Sequence, residues 1–488
     1  MHALSVFLSF LLAASAAAAP LQLRVATYNA SLNRSSLGQL AADLAGTTNA
    51  QAKQVAEIIQ RVRPDIVLIN EFDYDAGNPT SSTSALERFH NNYLAVSQNG
   101  QAVLSYPYRY IAPTNTGVAT GKTLATEGDF DNDGSVTTTP GSNANAYGND
   151  CFGFGEFPGK YSFAVYSKYP IQTAALRSFR LFKWKDMPGA VIPPGWYTTA
   201  ELSIFRLSSK NHVDLPIELK PGHILHLLTS HPTPPSFDGG EDRNGRRNYD
   251  EIRLWADYLR NASYLRDDAN VAGGLGTDQR FIILGDMNAD PLDGDSFTNA
   301  GVRAINQLRN HPLINSTPNP SSAGGTQQAA LQGGINGSHQ GNPAYDTSDF
   351  SDFAVGNLRV DHVLPSKLGF SVTGQGVFWP LNTDPTFSLI SASDHRLVYL
   401  DLVALPILSK AVRNLVATKQ GSDVVLSWGT QAGITYKVQT SPTLTTWTDA
   451  PGIGLVFDVG AQTATGTDVG AVGDVQKFYR VVCTLEGP

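Results

Sequence analysis

Leu21, Leu23 and Val25 alternate with Gln22, Arg24 and Ala26, the two-residue period of a strand, and the run continues into Tyr28-Asn29. Val55, Ile58, Ile59 and Val62 then recur at i, i+3, i+4 and i+7, which predicts a helix that Pro64 stops. Residues 65–70, DIVLIN, are short and nearly all apolar, as in a strand buried on both faces, and a charged residue, Glu71, emerges where it ends. From about residue 73 to 160 the chain turns to Gly, Asn, Ser and Thr. This stretch is too poor in apolar residues for a core of its own, so a long insertion of loops with one strand near Tyr108–Ile111 is expected. Order returns at YSFAVYS, residues 161–167, and ILHLLTS, residues 224–230, runs straight into His231. A helix over Arg247–Ala262 carries Ile252, Trp255, Ala256 and Leu259 on one stripe, and FIIL, residues 281–284, feeds Gly285-Asp286. Strands near Val360–Leu364, Phe370–Thr373 and Arg396–Leu402 close the unit.

After a linker at 405–413 the pattern changes. Residues 414–488 show short alternating strands (Val424, Leu426, Trp428; Tyr436, Val438; Tyr479, Val481, Cys483) separated by Gly-rich turns, with no helical period. A small β-sandwich similar to fibronectin type III modules is expected, with binding of a surface ligand or tethering as its role, against that of a passive stabilising appendage. At the other end, MHALSVFLSFLLAASAAAAP joins an apolar run to small residues, the pattern of a secretory signal over residues 1–19 cleaved between Ala16 and Ala19. Its strongly apolar part, Leu4–Leu12, is much shorter than the roughly 20 residues a membrane span requires. The expected location is therefore secreted, periplasmic or extracellular.

Composition adds two limits. The 488 residues carry 35 Lys+Arg against 43 Asp+Glu, a net charge of −8, and no basic run marks a track for a nucleic-acid backbone. A stable nucleic-acid complex is disfavoured, but turnover of a phosphate ester at a metal site is not, because a metal supplies positive charge locally. The two cysteines, Cys151 and Cys483, fall in different units, so no disulfide framework is expected.

The polar residues at the buried strands' ends are Asn29, Glu71, His231, Asp286 with Asn288, Asp361, and Asp394 with His395. Layered α/β folds aim such residues into one crevice. Phosphate-ester hydrolysis needs a cation, a group that orients or deprotonates water, and donors for the transition state. Carboxylates without thiols suit Mg²⁺ or Mn²⁺, and Glu71 is placed to anchor such an ion. Asp286 and Asn288, two apart in an extended turn, would point to one side, and His395 could hold a proton with Asp361 fixing its tautomer.

The motifs ATYNASL (26–32), IVLINEFD (66–73), SHPTPP (230–235), ILGDMNADP (283–291), RVDHVLP (359–365) and SASDHRLVYLDL (391–402) occur in this order. In them the chain resembles the endonuclease/exonuclease/phosphatase superfamily, the fold of DNase I, apurinic endonucleases, neutral sphingomyelinases and inositol polyphosphate 5-phosphatases. The resemblance covers nearly all of 21–404. It implies an α/β four-layer sandwich of two sheets between helices. It implies that Asn29 and Asn288 bind the phosphate and that Glu71, helped by Asp394, binds the metal. Asp286 would orient or deprotonate the water, Asp361 would hold His395 against the phosphate, and His231 would contact the phosphate or protonate the leaving oxygen. His362 stands where the family usually has an aromatic residue and is expected to be structural.

The activity expected is that of an exported Mg²⁺- or Mn²⁺-dependent phosphodiesterase acting on nucleic acid. A phosphomonoesterase or a sphingomyelinase-type lipid phosphodiesterase is the alternative on the same fold, and a non-catalytic surface-binding protein the alternative of another class. Within the insertion, Asp129, Asp131, Asp133 and Gly134 follow the opening of an EF-hand-like loop, but Pro140 stands where the closing Glu belongs. A structural Ca²⁺ on Asp129, Asp131 and Asp133 is therefore a candidate, against a hydrated acidic turn.

Overall fold

The computed structural model describes residues 21–405 apart from 142 and 277, and then 413–430, 434–458, 461–471 and 477–485. The expected signal segment and most of the linker lie outside the described residues. Gln22–Val403 forms one compact unit, and the C-terminal strands belong to a second.

The larger unit is built on two mixed sheets. Its strands are β1 (Leu21–Asn29), β2 (Ile66–Asn70), β3 (Tyr108–Ile111), β4 (Phe163–Ser167), β5 (Arg177–Ser178), β6 (His212–Lys220), β7 (His223–Ser230), β8 (Phe281–Asp286), β9 (Asp361–Pro365), β10 (Phe370–Val377) and β11 (Val398–Ala404). The first sheet has the order β10-β11-β1-β2-β4-β3, the second β9-β8-β7-β6-β5. Helix α1 (Ala50–Val62) starts where the Asn49 side chain accepts the Ala52 N–H at 3.0 Å, and ends at Arg63 in the left-handed region with φ 57°.

The apolar alternation on the strands explains the layering. Val67 and Ile69 of β2 join Val55, Ile58 and Ile59 of α1 in one core. Phe281 and Ile283 of β8 join Ile252, Trp255 and Leu259 of helix α2 (Arg243–Leu259) in another. The alternate residues Ile66, Leu68, Ile282 and Leu284 are equally buried and point the opposite way, into the space where β2 lies against β8. A helix layer, two sheets and a second helix layer result, as expected.

The segment after residue 73 differs from the expected run of loops. Ala85–Phe89 is an α-helix continued by a π-turn over His90–Leu94, and Phe89, Tyr93, Leu94, Leu104 and Tyr106 enter the first core. Their spacing among polar residues hides this in the sequence, because the apolar partners they need lie on α1 and β4. The strand at Tyr108–Ile111 is present and pairs with β4. Helix α2 begins four residues earlier than its apolar stripe suggests.

In the second unit a four-stranded sheet contains Arg413–Gln420, Asp423–Gly429, Thr463–Asp468 and Gly454–Asp458, and a three-stranded sheet contains Thr448–Asp449, Ile434–Ser441 and Phe478–Leu485. Leu426, Trp428, Tyr436, Val438 and Ala464 form its core, against which Cys483 packs. Both cysteines are free thiols. Among the described residues no helix is long and apolar enough to cross a membrane.

Candidate active site

Strand ends bring the site together. β1 and β2 are parallel with Asn29 beside Asn70, and Glu71 leaves β2 one residue later. β7 and β8 are also parallel, so His231 and Asp286 appear at the same end, while β9 starts with Asp361 directly opposite Asp286. An isolated bridge from Ser348 to His395 positions the turn before β11. The two sheets are joined at this point by Asn70, whose Oδ1 accepts the Asp286 N–H at 3.2 Å and the Thr27 hydroxyl at 3.3 Å. Within the second sheet, Gly285 allows β8 to run close to β7: a Cβ there would lie 2.1 Å from the Ser230 carbonyl oxygen, and φ is +150°.

Asp286 is the hub. Its Oδ2 accepts the Asn29 amide at 3.0 Å and lies 3.4 Å from Nε2 of His231 and 3.6 Å from Nε2 of His395. Its Oδ1 accepts the Asn288 N–H at 2.8 Å. His395 turns its Nδ1 to Asp361 Oδ2 at 2.8 Å, and the Thr347 hydroxyl donates to the same Asp361 oxygen at 2.9 Å. The site therefore gathers Asn29, His231, Asp286, Asp361 and His395, which come from five separate stretches of chain.

Burial and charge set the protonation states. Burial opposes ionisation of Asp286, but His395, His231 and the Asn29 hydrogen bond outweigh it and hold its carboxyl well below the ordinary range. For His395 burial again acts against the charge, yet Asp361 and Asp286 together push it up to about 10, so it is an imidazolium at neutral pH. Burial raises Asp361 to about 6 against the pull of His395. His231 moves the other way: burial and then the Lys210 ammonium lower it, leaving a neutral ring whose Nδ1 is buried without a partner.

The other expected residues surround this centre. Glu71 has φ 57°, an uncommon backbone state for a residue with a long side chain, and its carboxylate accepts the amides of Asn29 at 3.1 Å and Asn33 at 2.8 Å. Asn288, also left-handed with φ 49°, donates its side-chain amide to the Pro232 carbonyl at 3.1 Å. Asp394 is exposed and accepts the Ser31 hydroxyl at 3.3 Å. Among the described residues, Asp286, Asp361 and His395 can offer ligand atoms within 4.8 Å of one another, and Glu71 and Asp394 stand outside that cluster. The carboxylates here, with no thiolate among them, fit a hard divalent cation, while His395 as an imidazolium offers no lone pair. His362 faces away and hydrogen-bonds the Ala289 carbonyl at 3.1 Å, as expected of a structural residue.

Four contributors escaped the sequence reading. Asn70 joins the sheets as described. Asn248 on α2 donates to the carbonyls of Thr233 at 2.8 Å and Met287 at 2.9 Å, tying the turns after His231 and Asp286 together. Glu251, one turn on, accepts the N–H groups of Ser209 at 2.6 Å and Thr233 at 2.7 Å. Lys210 is buried with its ammonium 3.3 Å from the Pro232 carbonyl, and feels the charges of Glu251, Glu71 and Asp286. The available signal was polar residues beside an apolar helix stripe: Asn248 lies four before Ile252, and Glu251 four before Trp255.

No curated protein matches the chain. Among solved structures, the crystal structure of an endonuclease/exonuclease/phosphatase from Beutenbergia cavernae DSM 12333 is similar, with TM-score 0.43 and 14% sequence identity, covering 96% of this chain and 94% of that one. The Endonuclease/Exonuclease/phosphatase family model matches residues 26–395, most of the chain and all of the residues gathered at the strand ends, so the chain belongs to that family.

Proposed function

We propose that the protein is an exported phosphodiesterase that hydrolyses nucleic acid in its surroundings by metal-assisted attack of water on phosphorus. The observation that carries this reading is the buried Asp286 carboxylate with His231, His395 and Asn29 all aimed at one of its oxygens. Glu71, helped by Asp394, is the proposed ligand of Mg²⁺ or Mn²⁺, and the cation would neutralise charge on the phosphate oxygens.

The protein's own groups then have distinct tasks. Asp286 stays ionised and accepts a hydrogen bond from the attacking water, orienting it; Asn288 donates to the phosphate, and Asn29, whose side-chain amide donates to Glu71 and Asp286, holds those two carboxylates in place. His395, kept protonated by Asp361, supplies a fixed positive charge where negative charge accumulates. As the new P–O bond forms, the P–O bond to the leaving group breaks and the leaving oxygen takes a proton. His231, whose Nε2 lies 3.4 Å from Asp286 Oδ2, is assigned to that transfer: the proton released by the attacking water is relayed through the Asp286–His231 contact to the leaving oxygen, so that Asp286 ends ionised and His231 neutral. The C-terminal unit, read as a fibronectin III-like sandwich, is assigned to surface binding.

A panel of duplex DNA, single-stranded RNA, sphingomyelin, a nucleotide monoester and an aryl phosphodiester, each with and without Mg²⁺, Mn²⁺ and Ca²⁺, tests this. Cleavage of DNA or RNA with Mg²⁺ or Mn²⁺ is expected. Activity confined to the monoester or to sphingomyelin would replace nucleic acid as the substrate. Asp286→Asn and His395→Ala should each lower kcat/KM by about 10²–10⁴ while melting remains cooperative; wild-type rates in both would refute the mechanism.

A further inference from the structure

The turn after Gly128 holds a second buried carboxylate cluster, remote in its bonding from the one above. Asp129, Asp131 and Asp150 bring oxygens within 4.8 Å of one another. Asp129 and Asp150 are each 3% exposed. Some of their oxygens are accounted for: Asp129 accepts the N–H groups of Asp133 at 3.1 Å and Gly134 at 2.8 Å, Asp131 Oδ2 accepts the Asn149 amide at 2.7 Å, and Asp150 Oδ2 accepts the Thr137 N–H at 2.6 Å. The remaining oxygens, Oδ1 of Asp131 and Oδ1 of Asp150, are buried with no hydrogen-bond partner. Among the described residues no Lys, Arg or His is ion-paired with any of the three.

Three carboxylates in partial burial with two orphaned oxygens form a charge deficit that a cation relieves, since an unpaired buried charge is among the costliest features a fold can carry. Asp133, expected from the sequence to be a ligand, does different work: it is exposed, and its Oδ1 accepts the N–H and the hydroxyl of Ser135 at 2.9 and 2.7 Å.

We infer that Asp129, Asp131 and Asp150 form a structural site for a hard divalent cation, Ca²⁺ in preference to Mg²⁺. All donors are oxygens on loop segments, which suits the variable 6–8-fold coordination of Ca²⁺ better than the strict octahedron of Mg²⁺. The site fastens residues 129–150 to the second core. Phe130 between the ligands packs on Phe205 with ring centroids 4.4 Å apart, and its carbonyl accepts the Trp196 indole N–H at 3.2 Å. This assignment is independent of the phosphodiesterase reading.

The test uses the full chain stripped with chelator. Ca²⁺ at about 100 times its dissociation constant should raise Tm by roughly 5 °C in wild type. The same rise is expected in Asp133→Ala and in Glu71→Gln, and none in Asp131→Asn or Asp150→Asn. No rise in wild type, or an equal rise in Asp150→Asn, overturns the site. Should Asp150→Asn fail to fold, Tb³⁺ replaces the variant: Glu71→Gln protein should show terbium emission sensitised by Trp196, displaced by Ca²⁺ and lost in Trp196→Phe. Absence of that emission, or its persistence in Trp196→Phe, overturns the site as well.

Discussion

Asp286 is ionised although it is 1% exposed, because three donors and an imidazolium converge on it; the cost of burying the charge is met by partners rather than by solvent. His395 depends on the same arrangement in reverse, and this has a consequence for stability. Its folded value of about 10 exceeds the ordinary 6.5, so its contribution is complete below about pH 6.5, declines as pH rises, and is gone above about 10. The Tm gap between wild type and His395→Gln, measured in chelator, should shrink steadily between pH 7 and 10.5. Lys210 acts on the neighbouring His231. Its ammonium disfavours a second positive charge, so Lys210→Gln should raise the His231 value and move the limb of the kcat/KM profile that His231 governs to higher pH. A profile that keeps its shape and position would show that His231 does not titrate in the reaction.

Helix α2 is the element that ties the turns after His231 and Asp286 together. Removing the Asn248 amide leaves the Thr233 and Met287 carbonyls without their donor, so Asn248→Ala should cost about 1–3 kcal/mol in urea unfolding. Its kcat should fall by more than its KM rises, because the turns carrying His231 and Asn288 are positioned through it. The β7–β8 pair is equally intolerant. Gly285→Ala places a methyl 2.1 Å from a backbone carbonyl oxygen and should destabilise by about 3 kcal/mol or more, with a matching drop in Tm. The left-handed backbone at Ser31, Glu71 and Asn288 belongs to the same pattern: residues at the strand ends leave the ordinary backbone regions where the site needs their side chains.

At the level of the whole molecule, there are two units with separate cores. The residues assigned to hydrolysis all lie within Gln22–Val403, and the C-terminal sheets have a core of their own. A chain ending at residue 404 should therefore retain the wild-type kcat on a soluble aryl phosphodiester, and chelation should abolish turnover in both forms; loss of activity only in the shortened chain would give the C-terminal unit a catalytic part. Much of this was legible in the sequence. Apolar runs such as 66–70 and 281–284 are buried strands because few other structures satisfy a short, nearly all-apolar segment, and the polar residues that follow them point to the candidate site by chain position alone. Family membership rests on the same ordered motifs. What the sequence could not supply is which side chains meet. Asn29 and Asp286 are 257 residues apart and touch only because β2 packs on β8. Asp150 replaces Asp133 in the second acidic cluster because a short helix over Ala144–Asn149 returns the chain to the turn at Asp129. Asn70, Asn248, Glu251 and Lys210 read as ordinary polar positions until packing excludes water around them. Local periodicity records how each segment is buried; the pairing of charges and hydrogen bonds depends on long-range closure, and that is decided only by the tertiary fold.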